Sequence, residues 1–371
     1  MKMCIGFFLW YLYYIFRESK IQPIKYVKQG HFFISCETYN IIQKSRERTL
    51  NMGKKLNDLK CTLIQKAVYA KLYKGHKPNE WEPWHEPGVK KLENGLICRN
   101  DVKYGETYPN SFADIWYPDD SGKKRPVVVY FHGGGFIFGN KSSGDPMQTG
   151  GGVGKLEAIV KAGYILVNAD YALAPQYRFP VPVLQCDELF RYLIAHQEEL
   201  QLDMSRICLS GGSAGANITE IYAACVCNPA YAKLLGVDPV LTQENLKVLA
   251  IDEAALDASV FDKNMYAMLG CATGAKRNTP KEVSIINAKN YICGSFIPSW
   301  INASNEPNDE RGYFITEGRG LKKRLDEIGV PNDLVFFPGA GLPHGYMDQM
   351  DQEPHAKEAF ERMMAFIKKH I

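Results

Sequence analysis

The stretch Arg206-Ile-Cys-Leu-Ser-Gly-Gly-Ser-Ala-Gly215, running into Ala216-Asn-Ile-Thr-Glu-Ile-Tyr-Ala-Ala-Cys-Val-Cys227, decides how this chain is read. Residues 206–210 are a short apolar run of the kind buried on both faces of a parallel sheet, and residues 214–227 carry a helical pattern. Between them, Gly211-Gly-Ser-Ala-Gly215 matches G-x-S-x-G in a strand–turn–helix setting. So tight a turn needs residues without large side chains two before and two after the serine. Ser213 is therefore expected to stand exposed at a sheet edge, at a helix N-terminus whose dipole favours developing negative charge. A pentapeptide with three glycines could by itself be only a flexible turn; the flanking strand and helix argue against that.

Working outward, further strands are expected at 96–103, 112–117, 126–131, 164–169, 246–251, 298–303 and 333–337. Helical patterns lie at 154–162, 182–197, 313–328 and 354–371, and Gly329 with Pro331 closes one of them. Strands alternating with helices imply right-handed crossovers and an α/β fold, a mostly parallel central sheet flanked by helices. The interval 257–290 breaks that rhythm and reads as a helical cap over the C-terminal edge of the sheet, where such sheets hold ligands. Leu56, Leu59, Leu63, Ile64, Ala67, Val68, Ala70 and Leu72 mark an amphipathic helix. The domain is accordingly expected over 52–371, with its cap built from about 52–90 and 257–290.

Residues 1–51 read as a leader, either an over-long start or an anchor. Residues 3–16 are uncharged and aromatic, but that run is short of the roughly 20 residues a spanning helix needs. Arg17-Glu-Ser-Lys20 offers no small-residue cleavage site for a signal peptide. Contact of 3–16 with a membrane surface, with Arg17, Lys20, Lys25 and Lys28 at the headgroups, is the functional alternative.

The chain has 371 residues, 46% of them hydrophobic and 23% charged, and a formal net charge of +3, so it is neither disordered, fibrous nor a nucleic-acid binder by composition. Ten cysteines, none in a Cys-x-x-Cys pair or at zinc-finger spacing, point to a reducing compartment and hence a cytoplasmic protein. No G-x-x-x-x-G-K-[ST] and no helix-opening G-x-G-x-x-G is present, so no nucleotide cofactor is expected.

Two further elements complete a chemical constellation. His132-Gly-Gly-Gly135 directly follows the 126–131 strand. Backbone N–H groups must meet the charge that acyl transfer develops on a carbonyl oxygen, and glycine lets the chain approach closely enough. The amides of Gly134, Gly135 and Ala214 are assigned to such an oxyanion hole. His344, in Gly341-Leu-Pro-His-Gly-Tyr346 just beyond the last strand, is the candidate base that would activate Ser213. A carboxylate must orient that histidine. Glu306, Asp309 and Glu310 in the loop after the 298–303 strand qualify; Glu306 comes soonest and is favoured, with Asp309 next.

Together these residues resemble the hormone-sensitive-lipase-like branch of the α/β-hydrolases, a likeness covering residue 96 to the C-terminus. The landmarks are His132–Gly135, Asn168-Ala-Asp-Tyr-Ala-Leu-Ala-Pro175 with Phe179-Pro180 and Asp187, Gly211–Gly215, and His344-Gly345. The resemblance implies hydrolysis of short- to medium-chain acyl esters through an acyl-serine, on a small-molecule substrate and without a cofactor or metal. It also implies that an N-terminal helical segment forms part of the cap. Three departures stand out. Gly212 replaces the usual Asp in the elbow, Ala172 and Gln176 replace two charged residues, and the usual Asp-Pro-Leu acid motif reads Glu306-Pro307-Asn308. The alternatives are an amidase or peptidase on the same fold, or a ligand-binding relative without chemistry.

Overall fold

The computed structural model describes residues 36–146, 148, 153–274, 284–304 and 312–371. The chain divides into two units, Met1–Arg48 and Thr49–Ile371. Of the first, residues 36–48 are helical. That helix, α1 (Cys36–Leu72), begins well before Met52, earlier than the apolar pattern indicated.

Nine strands form one sheet. They are β1 (Gly88–Lys91), β2 (Ile97–Lys103), β3 (Phe112–Tyr117), β4 (Arg125–Phe131), β5 (Ile165–Ala169), β6 (Leu202–Gly212), β7 (Leu246–Asp252), β8 (Ser299–Asn302) and β9 (Asn332–Val335), in the order β1-β2-β3-β5-β4-β6-β7-β8-β9. The pairs from β1 to β5 are antiparallel, and every pair from β5 to β9 is parallel. β1, exposed along its whole length at the sheet edge, lacks the apolar pattern that would have revealed it. The crossovers are α2 (Leu156–Lys161), α3 (Val181–Ala195), α4 (Ala214–Cys227), α5 (Pro229–Leu235), α6 (Lys263–Thr273) and α7 (Tyr313–Glu327), and α8 (Pro354–His370) follows the last strand.

Both sheet faces are packed. On one, Val127, Val129, Phe131, Leu209 and Ile251 join the α3 and α4 side; on the other, Val128, Tyr130, Cys208, Val248 and Trp300 meet α2 and α8. That two-sided burial explains the unbroken apolar run 126–131 in β4 and the mostly apolar β7. α5 went unpredicted because it is short, yet its ends are well marked. Asn228 Oδ1 accepts from the Ala230 and Tyr231 amides, and Gly236 closes it in a left-handed conformation. Within the 257–290 interval, α6 is capped by Asp262, whose carboxylate accepts from the Asn264 and Met265 amides.

Among the described residues no helix is long and apolar enough to cross a membrane. Residues 3–16 lie outside the described residues.

Candidate active site

Ser213 is the hinge between β6 and α4, at φ 53° and ψ −115°, a conformation costly for a side-chain-bearing residue. Its N–H donates to the Asp252 carbonyl at 2.8 Å, which ties the turn to the end of β7. A Cβ on Gly215 would lie 2.0 Å from the Phe131 carbonyl oxygen. Only glycine lets the first turn of α4 press against the end of β4, and that contact brings the His132–Gly135 loop beside the elbow.

The loop itself is held from below. Gly134 has φ 109°, and a Cβ there would strike the Phe138 carbonyl at 2.0 Å. A Cβ on Gly135 would meet Met268 Sδ of α6 at 2.3 Å, so α6 lies close over this glycine. His132 is buried, its Nδ1–H donates to Gly133 O at 2.7 Å, and its ring stacks on Tyr171. Burial pulls its pKa down to about 4, so it stays neutral and acts as a post for the loop. The Tyr171 hydroxyl donates to His132 O at 3.0 Å.

His344 stands on the loop beyond β9, partly exposed and stacked on Phe314 with ring centroids 4.5 Å apart. Its Nδ1 lies 2.6 Å from Oε2 of Glu253, a side chain with no exposure. The same oxygen accepts from the Gly345 amide at 2.8 Å. Burial would raise the Glu253 pKa, but the imidazole, Ser304 and the Gly345 N–H outweigh it and hold the carboxyl below its ordinary range. Burial likewise pulls the His344 pKa down, and the Glu253 charge reverses that, leaving it above its ordinary 6.5. In this structure, therefore, Nδ1 is met by a carboxylate that the sequence reading did not single out. Glu306, Asp309 and Glu310 lie outside the described residues.

A signal for Glu253 was available. It is the first residue after β7, at the same C-terminal edge of the sheet as Ser213, with φ 64°. Asp252 and Glu253 are consecutive, one accepting from the Ser213 amide and the other facing His344. Asp252 is fixed in turn by buried Lys155 and by Asn302 Nδ2 at 2.7 Å, and Asn302 Oδ1 accepts from the Tyr346 hydroxyl at 2.6 Å. Gln148 sits between the two loops: a Cβ on Gly345 would lie 2.5 Å from its Cβ, and one on Gly212 would lie 3.4 Å from its Nε2. The segment carrying the serine and the segment carrying the histidine are thus one side chain apart. Among the described residues, no group of three or more His, Cys, Asp or Glu could hold a metal ion.

Several of the known proteins that this chain resembles are esterases. The chain is 35% identical over 272 residues to carboxylesterase NlhH of Mycobacterium tuberculosis, a match covering 69% of this chain and 77% of that one. The chain belongs to the hormone-sensitive-lipase-like family of α/β-hydrolase serine esterases. Esterase LipI of the same organism is 27% identical over 260 residues, 68% of this chain and 74% of its own. The BD-FAE family profile matches residues 113–290. Among solved structures, esterase B of Lactobacillus rhamnosis superposes with a TM-score of 0.60 at 17% identity, covering 86% of this chain and 96% of that one. A bacterial heroin esterase gives 0.55 at 22% identity, over 84% and 90%. As a member of this family the chain is a carboxylic-ester hydrolase.

Proposed function

We propose that the ester is cleaved through an acyl-serine on Ser213, with His344 as base and Glu253 as the carboxylate behind it. Ser213 Oγ attacks the carbonyl while His344 Nε2 takes its proton; the same imidazolium then returns that proton to the leaving alcohol. Water repeats the cycle and frees the acid. Gly134, Gly135 and Ala214 supply the N–H groups for the oxyanion. The observation that carries this reading is the 2.6 Å approach of Glu253 to His344 Nδ1, beside an Asp252 carbonyl that accepts from the Ser213 amide. Such a pairing fixes the tautomer that leaves Nε2 free to receive a proton.

The segments 52–90 and 257–290 are proposed to form the cap over the substrate. Met268 above Gly135 supports this, as does the Asn57 side-chain amide donating to the Ala267 carbonyl at 2.5 Å. Acyl chains of short to medium length are the proposed substrates, and an acyl-length series on p-nitrophenyl esters tests that range.

Ser213→Ala is expected to reduce kcat on such an ester by a factor on the order of 10⁶. Turnover persisting at the wild-type level would overturn the assignment. Glu306 and Asp309 are the competing carboxylates, on the strength of their position after β8. Comparing Glu253→Gln, Glu306→Gln and Asp309→Asn decides the matter: the residue behind His344 is the one whose loss cripples turnover.

A further inference from the structure

Helix α1 has two different apolar faces between Met52 and Leu72. The inner one is accounted for. Cys61, Gln65 and Tyr69 are buried, and Gln65 Nε2 donates to the carbonyls of Ile137 at 2.6 Å and Ala174 at 3.0 Å. The outer one is not. Met52, Leu56, Leu59 and Leu63 follow each other at helical spacing and are 57%, 46%, 54% and 57% exposed. Ala67 and Ala70 continue the same stripe and are also exposed.

Charge frames this stripe symmetrically. At 3.6 residues per turn, Lys55 and Lys66 fall along one border and Lys60 and Lys71 along the other, all four exposed. Asp58 is the sole acid from 52 to 72, and it faces inward, paired with Arg178 at 2.7 Å. Single exposed leucines need no explanation, but an ordered row of them in water does. A row bounded on both sides by lysines and free of acids matches an anionic lipid surface. The apolar side chains enter the boundary between headgroups and acyl chains, while the lysine stems lie along it with their ammonium groups at the phosphates.

We propose that the outer face of α1, from Met52 to Ala70, docks this protein on an anionic lipid surface. A second copy of the chain is a poorer occupant, because pairing two such faces sets lysine rows together with no carboxylate to meet them. Docking through this helix would turn toward the lipid the side of the molecule where Gln65 grips the residues next to the glycine loop. The inference stands on the helix alone and does not depend on which residues do the chemistry.

The test is co-sedimentation of the full chain with vesicles of phosphatidylcholine alone and of phosphatidylcholine with phosphatidylserine. Binding to the serine-containing vesicles is expected, weakening as salt is added. Leu59→Asp/Leu63→Asp is expected to cut that binding at least tenfold, at an unchanged melting temperature. Lys60→Gln/Lys66→Gln is expected to lower it by about fivefold per charge removed. The proposal fails if the wild type binds neither vesicle. It also fails if Leu59→Asp/Leu63→Asp binds like the wild type, which would assign the contact to another segment such as residues 3–16. A wild-type dimer that this variant makes monomeric, with no vesicle binding, would assign the face to a second copy.

Discussion

Among the described residues, two places bury glutamates completely, and they treat the charge in opposite ways. At the C-terminal edge of the sheet, Glu253 meets the His344 imidazole and the Gly345 N–H, and its pKa is held below the ordinary value. Between α4 and α7, Glu220 and Glu317 lie together with Lys289, whose Nζ is 2.7 Å from Glu317 and 3.2 Å from Asp257. There burial leads, and the neighbouring carboxylate reinforces it, so Glu220 is pushed well above its ordinary 4.5. Desolvation is alike at both sites. What differs is the count of opposing charges and donors: Glu253 has an imidazole and an amide to itself, whereas Glu220, Glu317 and Asp257 share one ammonium. A buried carboxylate thus stays ionised only where the fold surrounds it with partners, and here that place adjoins the elbow.

The sharpest way to break this contrast is to neutralise each glutamate. Glu253→Gln is expected to reduce kcat by up to about 10⁴, because the imidazole loses the partner that sets its tautomer. Glu220→Gln, measured on the same ester, is expected to stay within about twofold of wild type, since burial already disfavours the charged form of Glu220. Equal losses in the two variants would show that both sites serve packing alone.

The pH profile gives a smaller but more specific signature. His344 must be neutral to accept a proton, and its pKa lies above 6.5, so the acid limb of kcat/KM is expected above that pH. In Glu253→Gln, burial of the imidazole is opposed only by the charges of Asp145 and Asp252, so the limb should move to lower pH than in the wild type. Stability follows from the same shifts. A raised His344 contributes fully below its unfolded pKa and loses that contribution as pH rises through the folded value; a lowered Glu253 contributes above its unfolded pKa and loses it as pH falls. The pair therefore stabilises most between about 4.5 and 6.5, where thermal melting of wild type and Glu253→Gln should differ most. Glu220 has the opposite sign. Its raised pKa favours the folded state less as pH climbs above 4.5, so the melting temperature of Glu220→Gln relative to wild type should increase from pH 5 to pH 8.

Much of the fold could be read from the chain because β4 and the central parts of β6 and β7 are buried on both faces and so appear as short, mostly apolar runs. Ala214–Cys227 and Phe112–Tyr117 have the bounds that periodicity indicated. β1 escaped because an exposed edge strand carries no such pattern, and α1 runs further back than its apolar repeat. For the site, the glycines around Ser213 are legible because the close approaches at Gly215, Gly134 and Gly135 exclude any other residue. Glu253 is harder to find. Carboxylates follow both the 246–251 and the 298–303 strands in the sequence, and local order pointed to Glu306 after the second. What distinguishes Glu253 is its burial and its positive φ, both of which depend on β8, and Asn302 O receives its amide at 3.0 Å.

Gly212, the departure within the elbow, acquires a different meaning from its surroundings. A Cβ at that position would lie 2.7 Å from the Tyr130 hydroxyl, so an oxygen from β4 already fills the space a side chain would need. Positions 130 and 212 are therefore coupled in design: a carboxylate cannot enter the elbow until the phenol has gone. Gly212→Asp alone should disturb the turn and lower the melting temperature, whereas combining it with Tyr130→Phe opens the room and should restore part of that loss.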